Sequence, residues 1–171
     1  MIEIVRANTS HTDIIAEIGK LTFIDAHGHS APKTDIEAYV NNTYTTEIVK
    51  HDLLQPEHIY HILFYNNQVA GYSKIVLNTS NENVTFSNIT KLERIYFLKE
   101  FYGLSLGKML FNFNVDWSKK HQQKGIWLNV WVNNFRAIQF YKKTGFEIVG
   151  EYHFKISQTH SNPNHVMYLD Y

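Results

Sequence analysis

Apolar and polar residues follow two different periods along this 171-residue chain, and each period predicts one kind of element. Where apolar residues alternate with polar ones, or form a short unbroken run, a strand is expected. The segments of this kind are residues 1–7, 58–65, 68–77, 89–98, 125–132, 146–156 and 165–171. The pair Asn66-Asn67 between the second and third segments is typical of a two-residue hairpin turn.

Apolar residues that recur every three to four positions predict helices in the remaining segments. These are residues 10–26, a segment that starts at Pro32 or Thr34, residues 45–54, a segment from about Ser105 to His121, and residues 134–144. In the first helix, the positions expected to face the core are Ile14, Ile18, Leu21 and Ile24. In the fourth helix they are Leu106, Met109, Leu110, Phe113 and Trp117. The order of elements predicts a single mixed α/β domain over residues 1–171.

Composition narrows the class of protein. Hydrophobic residues make up 44% and charged residues 19%, which is the balance of a globular domain rather than of a disordered chain. The sequence has no cysteine, so the protein itself offers neither a disulfide nor a thiolate. No apolar run approaches the roughly 18–20 residues of a membrane span, and the first ten residues lack the apolar core of a signal peptide. We therefore expect a cytoplasmic protein without a membrane partner.

Charge is balanced overall but not along the chain. Residues 1–60 carry nine Asp and Glu against four Lys and Arg, whereas residues 61–171 carry seven against twelve. The net charge of zero argues against general binding of nucleic acid, which usually requires a basic excess. Two explanations of this uneven distribution are equally good. Either the charges belong to solvated helix faces, or the first third of the chain attracts a cation and the second half attracts an anion.

The segment from Tyr102 to Lys108 joins a predicted strand to a predicted helix and contains Gly103 and Gly107. The first turn of a helix has N–H groups without helical partners and a positive dipole end, and glycine lets an anion approach the backbone. The spacing is neither that of the nucleotide loop Gly-x4-Gly-Lys-Ser/Thr nor that of the dinucleotide turn. Taken alone, this segment is either a plain turn or a phosphate site.

A second segment, NVWVNNFRAIQFYKKTGFEIVG at residues 129–150, makes the phosphate interpretation the stronger one. Its Asn-x-x-Ala-x-x-x-Tyr-x-x-x-Gly-Phe spacing resembles that of the GNAT superfamily of acyl-CoA-dependent N-acetyltransferases. The family's pyrophosphate loop, Arg/Gln-x-x-Gly-x-Gly/Ala, is matched here at Gly107. Tyr102 stands in place of Arg or Gln, and Ser105 stands in place of the first glycine.

The resemblance implies a single-domain GNAT fold, in which a mixed, mostly antiparallel sheet of six or seven strands is flanked by about four helices. It implies acetyl-CoA as co-substrate, no metal, and a homodimer, since dimers are common among similar proteins. The segments LERIYFL, SLGKML and IWLNVWVNNFRAIQFYKKTGF look most like PaiA-type polyamine acetyltransferases. The implied reaction is direct transfer of an acetyl group to a primary amine, with a small cationic amine or polyamine as the acceptor.

In such enzymes the loop binds the CoA pyrophosphate through backbone N–H groups, the asparagine contacts the pantetheine arm, and the tyrosine lies beside the thioester sulfur. The implied cofactor-binding residues are Ile95, Tyr96, Phe97, Tyr102, Gly103, Leu104, Ser105, Leu106, Gly107, Lys108, Asn134, Ala137 and Lys143. Capping a helix is compatible with the asparagine's role. Lys143 either reaches the CoA phosphates or satisfies the carbonyl end of its helix.

Acetyl transfer requires an unprotonated amine, a donor for the developing oxyanion and a proton for the leaving thiolate. Glu93 lies on the strand before the loop and is the carboxylate best placed to act as base, unless it pairs with Arg94 or binds the substrate. The oxyanion is expected at a backbone N–H near Ile95 to Phe97. Tyr141 is the expected general acid, because a tyrosine keeps its proton at neutral pH; the alternative is a packing role.

Aromatic side chains are expected to form the walls of the acceptor site: Phe23, Tyr39 and Tyr72, with Tyr44 as a further wall. Negative charge for the amine is expected from Asp25, Asp35 and Glu37. The alternative is that these residues are core or plain surface positions. The ten histidines predict no metal site: none recurs at i and i+4 on a helix, and His58 and His61 fall on opposite faces of a strand. Acetylation of a protein lysine or N-terminus, and a sensor that binds acyl-CoA without turnover, remain alternative functions.

Overall fold

The computed structural model describes residues 1–171, with seven strands and five α-helices. The strands are β1 Ile2–Arg6, β2 His58–Tyr65, β3 Gln68–Val76, β4 Thr90–Phe97, β5 Gly125–Trp131, β6 Glu147–Lys155 and β7 Ser161–Asp170. The helices are α1 Thr12–His27, α2 Lys33–Thr43, α3 Thr46–Leu53, α4 Leu106–Lys120 and α5 Phe135–Lys143. None of these helices is both long and apolar enough to cross a membrane.

The seven strands form one sheet in the order β1-β2-β3-β4-β5-β7-β6, in which only β4 and β5 run parallel. Helices α1 and α3 cover one face of strands β1 to β4, where Ile15 and Val49 are completely buried. Helices α4 and α5 cover the opposite face, where Leu110 and Ile138 belong to the core. The predicted mixed and mostly antiparallel α/β architecture is therefore confirmed.

Most element bounds follow the hydrophobic pattern, with two differences. The helix predicted at residues 45–54 is confirmed as α3, in which Thr45 Oγ1 accepts a hydrogen bond from the Ile48 N–H; the helices therefore number five, as the hydrophobic pattern predicts, rather than about four, as the resemblance implies. Strand β7 begins at Ser161 and not at residue 165, and it includes Pro163, which normally argues against a strand. The hairpin turn at Asn66-Asn67 is confirmed, because both residues have a positive φ.

The prediction of which helix faces are buried is partly wrong. In α1, Ile14, Leu21 and Ile24 are at least 36% exposed, and only Ile18 of the predicted face is buried. The buried positions are Thr12, Ile15, Ala16, Ile18, Gly19, Thr22 and Phe23. In α4, Met109 is exposed and Phe111 is buried instead. Small residues decide the contact in α1, because a side chain at Gly19 would collide with the ring of Tyr44.

The central feature of the sheet is that β4 and β5 separate. They pair only at Thr90 with Ile126 and at Lys91 with Trp127, so the following residues of β4 have no strand partner on that side. Just beyond this point, β4 contains a bulge against β3, where Lys74 lies opposite Arg94 but the next residue, Ile75, lies opposite Leu92. The extra residue is Glu93. The bulge therefore turns two successive charged side chains, those of Glu93 and Arg94, to the face that carries α1 to α3.

Candidate active site

A cleft of about 770 Å³ lies where β4 and β5 separate and continues to the start of α4. One end of it, the loop end, is formed by Tyr102, Gly103, Ser105, Gly107 and Lys108. The other end, the aromatic end, is formed by Phe23, His27, Tyr96, Trp131 and Phe154. The two ends join between the strands, so one ligand lying along the cleft contacts both.

Backbone geometry makes the loop end a set of free N–H donors. Gly103 has a φ of 84°, and Ser105, the residue before α4, has a φ of 59°. No side chain caps the first turn of α4, and the first helical hydrogen bond runs from the Met109 N–H to the Ser105 carbonyl. The N–H groups of Leu106, Gly107 and Lys108 are thus available to an anion at the positive end of the helix.

Glycine at position 107 is not required by the protein's own packing. A Cβ atom there would meet only the Phe97 ring, at an ordinary 3.8 Å, and the φ of Gly107 is not positive. Glycine in a helix is about 0.5–1 kcal/mol less stable than alanine. A glycine that the fold does not need, at the floor of a cleft, is consistent with close approach of a ligand. Ser105, in contrast, adopts a left-handed conformation that glycine adopts more easily.

Two cations flank the loop end, and one of them was not anticipated from the sequence. Lys108 and Arg136 both line the cleft, and the Arg136 guanidinium lies 5.1 Å from the centre of the Tyr102 ring. Tyr102 thereby supports an arginine supplied from α5. Two predicted cofactor residues, Leu104 and Lys143, are exposed and lie outside the lining. Lys143 lies in the last turn of α5, where its positive charge interacts favourably with the negative end of the helix dipole.

Helix α5 presents Asn134, Ala137 and Tyr141 to the cleft along one side. The Asn134 side chain caps the helix by accepting a hydrogen bond from the Ala137 N–H at 3.2 Å. Tyr141 is 8% exposed, and burial raises the pKa of its hydroxyl above the usual value of about 10. Its ring packs against Phe140 and Phe146, but its hydroxyl has no hydrogen-bond partner in the protein.

Glu93 also lines the cleft, but it is embedded in a group of charges. Its Oε1 lies 2.7 Å from Lys74 Nζ, and the same ammonium donates to Asp52 Oδ2 at 2.6 Å. Burial alone would raise the pKa of Glu93, but Lys74 and Arg94 outweigh it and hold the pKa below its ordinary value. Glu93 is therefore ionised at neutral pH and has little affinity for a proton.

The aromatic end holds a histidine that the sequence did not single out for chemistry. His27 Nε2 lies 3.1 Å from the Tyr96 hydroxyl, and its ring packs against Phe23 at a centroid distance of 4.9 Å. Burial, with a smaller contribution from His29, lowers the pKa of His27 to about 4. At neutral pH His27 is an uncharged hydrogen-bonding group.

The remaining residues predicted for the substrate side do not line the cleft. Tyr39 stacks on Phe23 from behind at a centroid distance of 4.7 Å, and Tyr72 is fully buried beneath α1. The carboxylates are engaged elsewhere: Asp25 pairs with Lys99 at 2.7 Å, Asp35 with His160 at 2.8 Å, and Glu37 with Lys33 at 3.6 Å. Phe23 alone of the predicted substrate residues reaches the aromatic end.

Comparison with known proteins supports this geometry. The model of the acetyltransferase (GNAT) family matches residues 24–146. An uncharacterized N-acetyltransferase from the pepI 3′ region of Lactobacillus delbrueckii subsp. lactis is 26% identical over 153 residues, which cover 90% of this chain and 88% of that protein. The residues matched by the family model include most of those that line the cleft.

Solved structures share the fold at low sequence identity. The PaiA N-acetyltransferase from Thermoplasma acidophilum, solved in complex with coenzyme A, has a TM-score of 0.80 and 18% identity, covering 100% of this chain and 99% of that one. The ribosomal-protein-S18-alanine N-acetyltransferase from Escherichia coli has a TM-score of 0.72 and 16% identity, covering 99% and 94%. The name of the second enzyme includes a ribosomal-protein acceptor and the name of the first includes none, and at this level of identity the shared fold does not name the acceptor of this chain.

Proposed function

The chain belongs to the acetyltransferase (GNAT) family, and we propose that it transfers the acetyl group of acetyl-CoA directly to the primary amine of a small molecule. The observation that carries this proposal is the continuous cleft from the uncapped start of α4 to Tyr141 and the aromatic end. The aromatic residues that line one end of the cleft, together with its volume of about 770 Å³, favour a small acceptor over a protein chain.

The loop end is proposed to hold the CoA pyrophosphate. The donors are the N–H groups of Leu106, Gly107 and Lys108, and the side chains of Lys108 and Arg136 supply positive charge. Asn134 and Ala137 lie between the loop end and Tyr141, which is the stretch that a pantetheine arm would occupy. The uncapped N–H groups survive the family departures at Tyr102 and Ser105, because backbone donors do not depend on side-chain identity.

The free edge of β4 is proposed to stabilise the developing oxyanion. Leu98 N–H donates to Ala70 O in β3 at 2.9 Å. Because successive N–H groups of a strand point to opposite edges, the N–H groups of Ile95 and Phe97 point into the gap toward β5. Donors fixed there reduce the barrier, since they stabilise charge that appears on the thioester oxygen only during the reaction.

The reaction forms one bond and breaks one. The acceptor ammonium first loses one proton to solvent water, and its neutral nitrogen then bonds to the acetyl carbon while the carbon–sulfur bond breaks. The nitrogen loses its second proton to solvent as the amide forms. The leaving thiolate accepts a hydrogen bond and then a proton from Tyr141, which regains a proton from solvent. Glu93 and His27 are too weakly basic to retain an ammonium proton, because the pKa of an alkylammonium is about 10.4. We propose that the acceptor reacts from its unprotonated fraction, with Glu93 as a charge in the cleft wall rather than as the base.

This assignment predicts a simple pH profile. Between pH 6.5 and 9 we expect log kcat/KM for the acceptor to rise with unit slope until it reaches the acceptor's own pKa, because Glu93 stays ionised and His27 stays neutral throughout. Initial rates of free-thiol release at saturating acetyl-CoA provide the measurement. An inflection below pH 7.5 that is lost in Glu93→Gln would return the base role to Glu93.

Gly107→Glu tests the loop end. The carboxylate is compatible with the first turn of a helix, where negative charge is stabilising, so the melting temperature is expected to stay the same or rise. The same carboxylate repels the phosphates, and we expect acetyl-CoA affinity to fall by about 10–100-fold, or about 1.4–2.8 kcal/mol. Isothermal titration with acetyl-CoA measures this. Asn112→Glu, which places the same charge on an exposed position of α4, is the matched control and is expected to bind like the wild type.

The proposal as a whole is tested by incubating the purified protein with acetyl-CoA and a panel of amines while free thiol is monitored. Release of thiol that depends on the amine, with the acetylated amine identified by mass spectrometry, is the expected result. Binding of acetyl-CoA without turnover of any amine would instead favour a sensor, and failure to bind at millimolar ligand would reject the acetyl-CoA site itself.

A further inference from the structure

We propose that the acceptor carries a carboxylate next to its amine and that Arg94 binds this carboxylate. The inference rests on the proposed acetyl transfer and specifies the class of its acceptor. It differs from the polyamine expected on the resemblance, because the negative charges on which that expectation depended lie outside the cleft.

The Arg94 guanidinium is enclosed but has no hydrogen-bond partner. Its side chain is only 12% exposed, and its nearest carboxylate oxygen is Glu93 Oε1 at 3.9 Å, beyond hydrogen-bond distance. None of its N–H groups donates to another protein group, although the side chain lines the cleft. A guanidinium offers five N–H donors in a planar fork, and this fork matches the two oxygens of a carboxylate.

The protein holds Arg94 in place from below. The Tyr44 ring lies under the guanidinium at 4.6 Å, and Tyr44 is itself 1% exposed and packs against Gly19 of α1. Stacking on an aromatic ring stabilises a cation without using its N–H groups. The bulge at Glu93 turns Arg94 to this face, so the arginine's direction is set by the strand rather than by a flexible loop.

The local charge balance favours an anion. Lys74 is shared between Asp52 and Glu93 at 2.6 and 2.7 Å, which leaves this trio with one negative charge. Arg94 and Lys91, whose Nζ is 3.8 Å from Glu93, add two positive charges. These five side chains together therefore have one positive charge in excess. A single carboxylate neutralises it, whereas a doubly charged phosphate or a polycation does not.

A second unpartnered atom fits the same acceptor. The Oδ1 atom of Asn129, on β5 across the gap from β4, is buried and has no hydrogen-bond partner. Buried polar atoms normally have a partner, so this one is free for a donor on the ligand. An amine hydrogen supplies such a donor. Arg94 and Asn129 thus present a carboxylate receptor and an amine receptor on facing strands.

The test uses the wild-type protein with a panel of L-amino acids, each paired with its amide and with the amine that lacks the carboxyl group, and with spermidine added. We expect at least one amino acid to exceed its amide and its amine in kcat/KM by about 10–100-fold, as for a charge-assisted pair of about 1.5–3 kcal/mol. Equal or reversed preference across the panel, or spermidine as the best acceptor, overturns the inference. If the inference fails but the amides or amines are acetylated, the proposed acetyl transfer still stands. If no amine is acetylated and acetyl-CoA does not bind, both the acetyl transfer and the carboxylate-bearing acceptor are rejected.

Arg94→Gln is expected to bring the ratio between amino acid and amide close to one, mainly through a higher KM for the amino acid. Arg94→Lys, which keeps the charge but loses the fork, is expected to restore part of the ratio. Lys108→Gln, at the loop end, is the matched control: its KM for acetyl-CoA rises while the ratio stays unchanged. An unchanged ratio in a folded Arg94→Gln overturns the assignment, and the wild-type panel decides the acceptor class even if that variant does not fold.

Discussion

Tyr141→Phe is expected to lower kcat by about 10²–10⁴-fold, or about 3–5 kcal/mol of barrier, while the dissociation constant of acetyl-CoA hardly changes. The substitution removes only a hydroxyl that no protein group binds and keeps a ring that packs at 5.3 Å from Phe146. Position 141 follows Asn134 by two helical turns, so both side chains project from nearly one face of α5. Single-turnover rates and titration with acetyl-CoA separate the two effects.

The physical basis of this loss is a hydrogen bond made late in the reaction. Burial raises the pKa of Tyr141, so its hydroxyl stays protonated at every assay pH and is available as a donor. The thioester sulfur becomes a strong acceptor only when the carbon–sulfur bond breaks, and the hydroxyl therefore stabilises the transition state more than the bound ground state.

Tyr152→Phe is the matched control for this experiment. Tyr152 is 46% exposed on β6 and lies outside the cleft lining, so the same chemical change there is expected to leave kcat and affinity unchanged. If Tyr141→Phe kept more than about a third of the wild-type kcat while chemistry limits the rate, a water or another group would have to protonate the thiolate.

Acidification is expected to destabilise the folded protein strongly between pH 6.5 and pH 4, through His61. Its pKa is lowered from about 6.5 to about 4, chiefly by burial. Below pH 6.5 the unfolded chain binds a proton at His61 that the folded chain does not bind. The contribution of His61 to the free energy of unfolding is therefore present in full above pH 6.5 and is lost as the pH falls. A shift of this size corresponds to about 3 kcal/mol, a large part of the stability of an ordinary domain. His27, lowered in the same direction, adds to the loss.

The surroundings of His61 explain why it resists protonation. Its Nδ1 lies 2.8 Å from Asn114 Oδ1, whose own amide group donates to the Leu110 carbonyl, so Nδ1 carries the ring hydrogen. The other nitrogen, Nε2, is buried without a partner against Trp117 and Phe113. A second proton would have to enter at Nε2, where no acceptor is present.

Urea unfolding at pH 7.0 and pH 5.0 measures the effect. His61→Gln removes the titrating group and is expected to flatten the difference between the two pH values, whatever its stability at pH 7.0. His153→Gln, at an exposed position, is expected to keep the full wild-type difference. A wild-type difference that persists unchanged in His61→Gln would assign the acid sensitivity to other groups.

The hydrophobic pattern located the elements because strand and helix periods are local properties of the chain. It predicted β2 at its exact residues and β4, β5, α5 and β6 to within one residue at each end. It failed at the buried face of α1, where Ala16 and Gly19 are buried, Gly19 against the Tyr44 ring, while Ile14, Leu21 and Ile24 are exposed. Close packing rewards small residues where two elements approach, and hydrophobicity alone does not reveal this.

The loop end was predictable because its donors belong to one continuous segment. The aromatic end was not, because His27 of α1, Trp131 of β5 and Phe154 of β6 come from separate elements that only the folded sheet brings together. Glu93 and Arg94 illustrate the limit most clearly. As neighbours on a regular strand they would point to opposite faces, and only the bulge, which depends on the register with β3, places both in one wall.

The separation of β4 from β5 also bears on how the two parts of the sheet can move relative to each other. Strands β1 to β4 are joined to β5 to β7 along the sheet only at the two residue pairs near Thr90 and Lys91, and α4 and α5 pack across the gap. Backbone hydrogen bonds therefore fix the spacing of the two parts of the sheet at one end only. We expect a ligand bound between β4 and β5 to fix the spacing at the other end and so to restrict the movement of the two parts relative to each other.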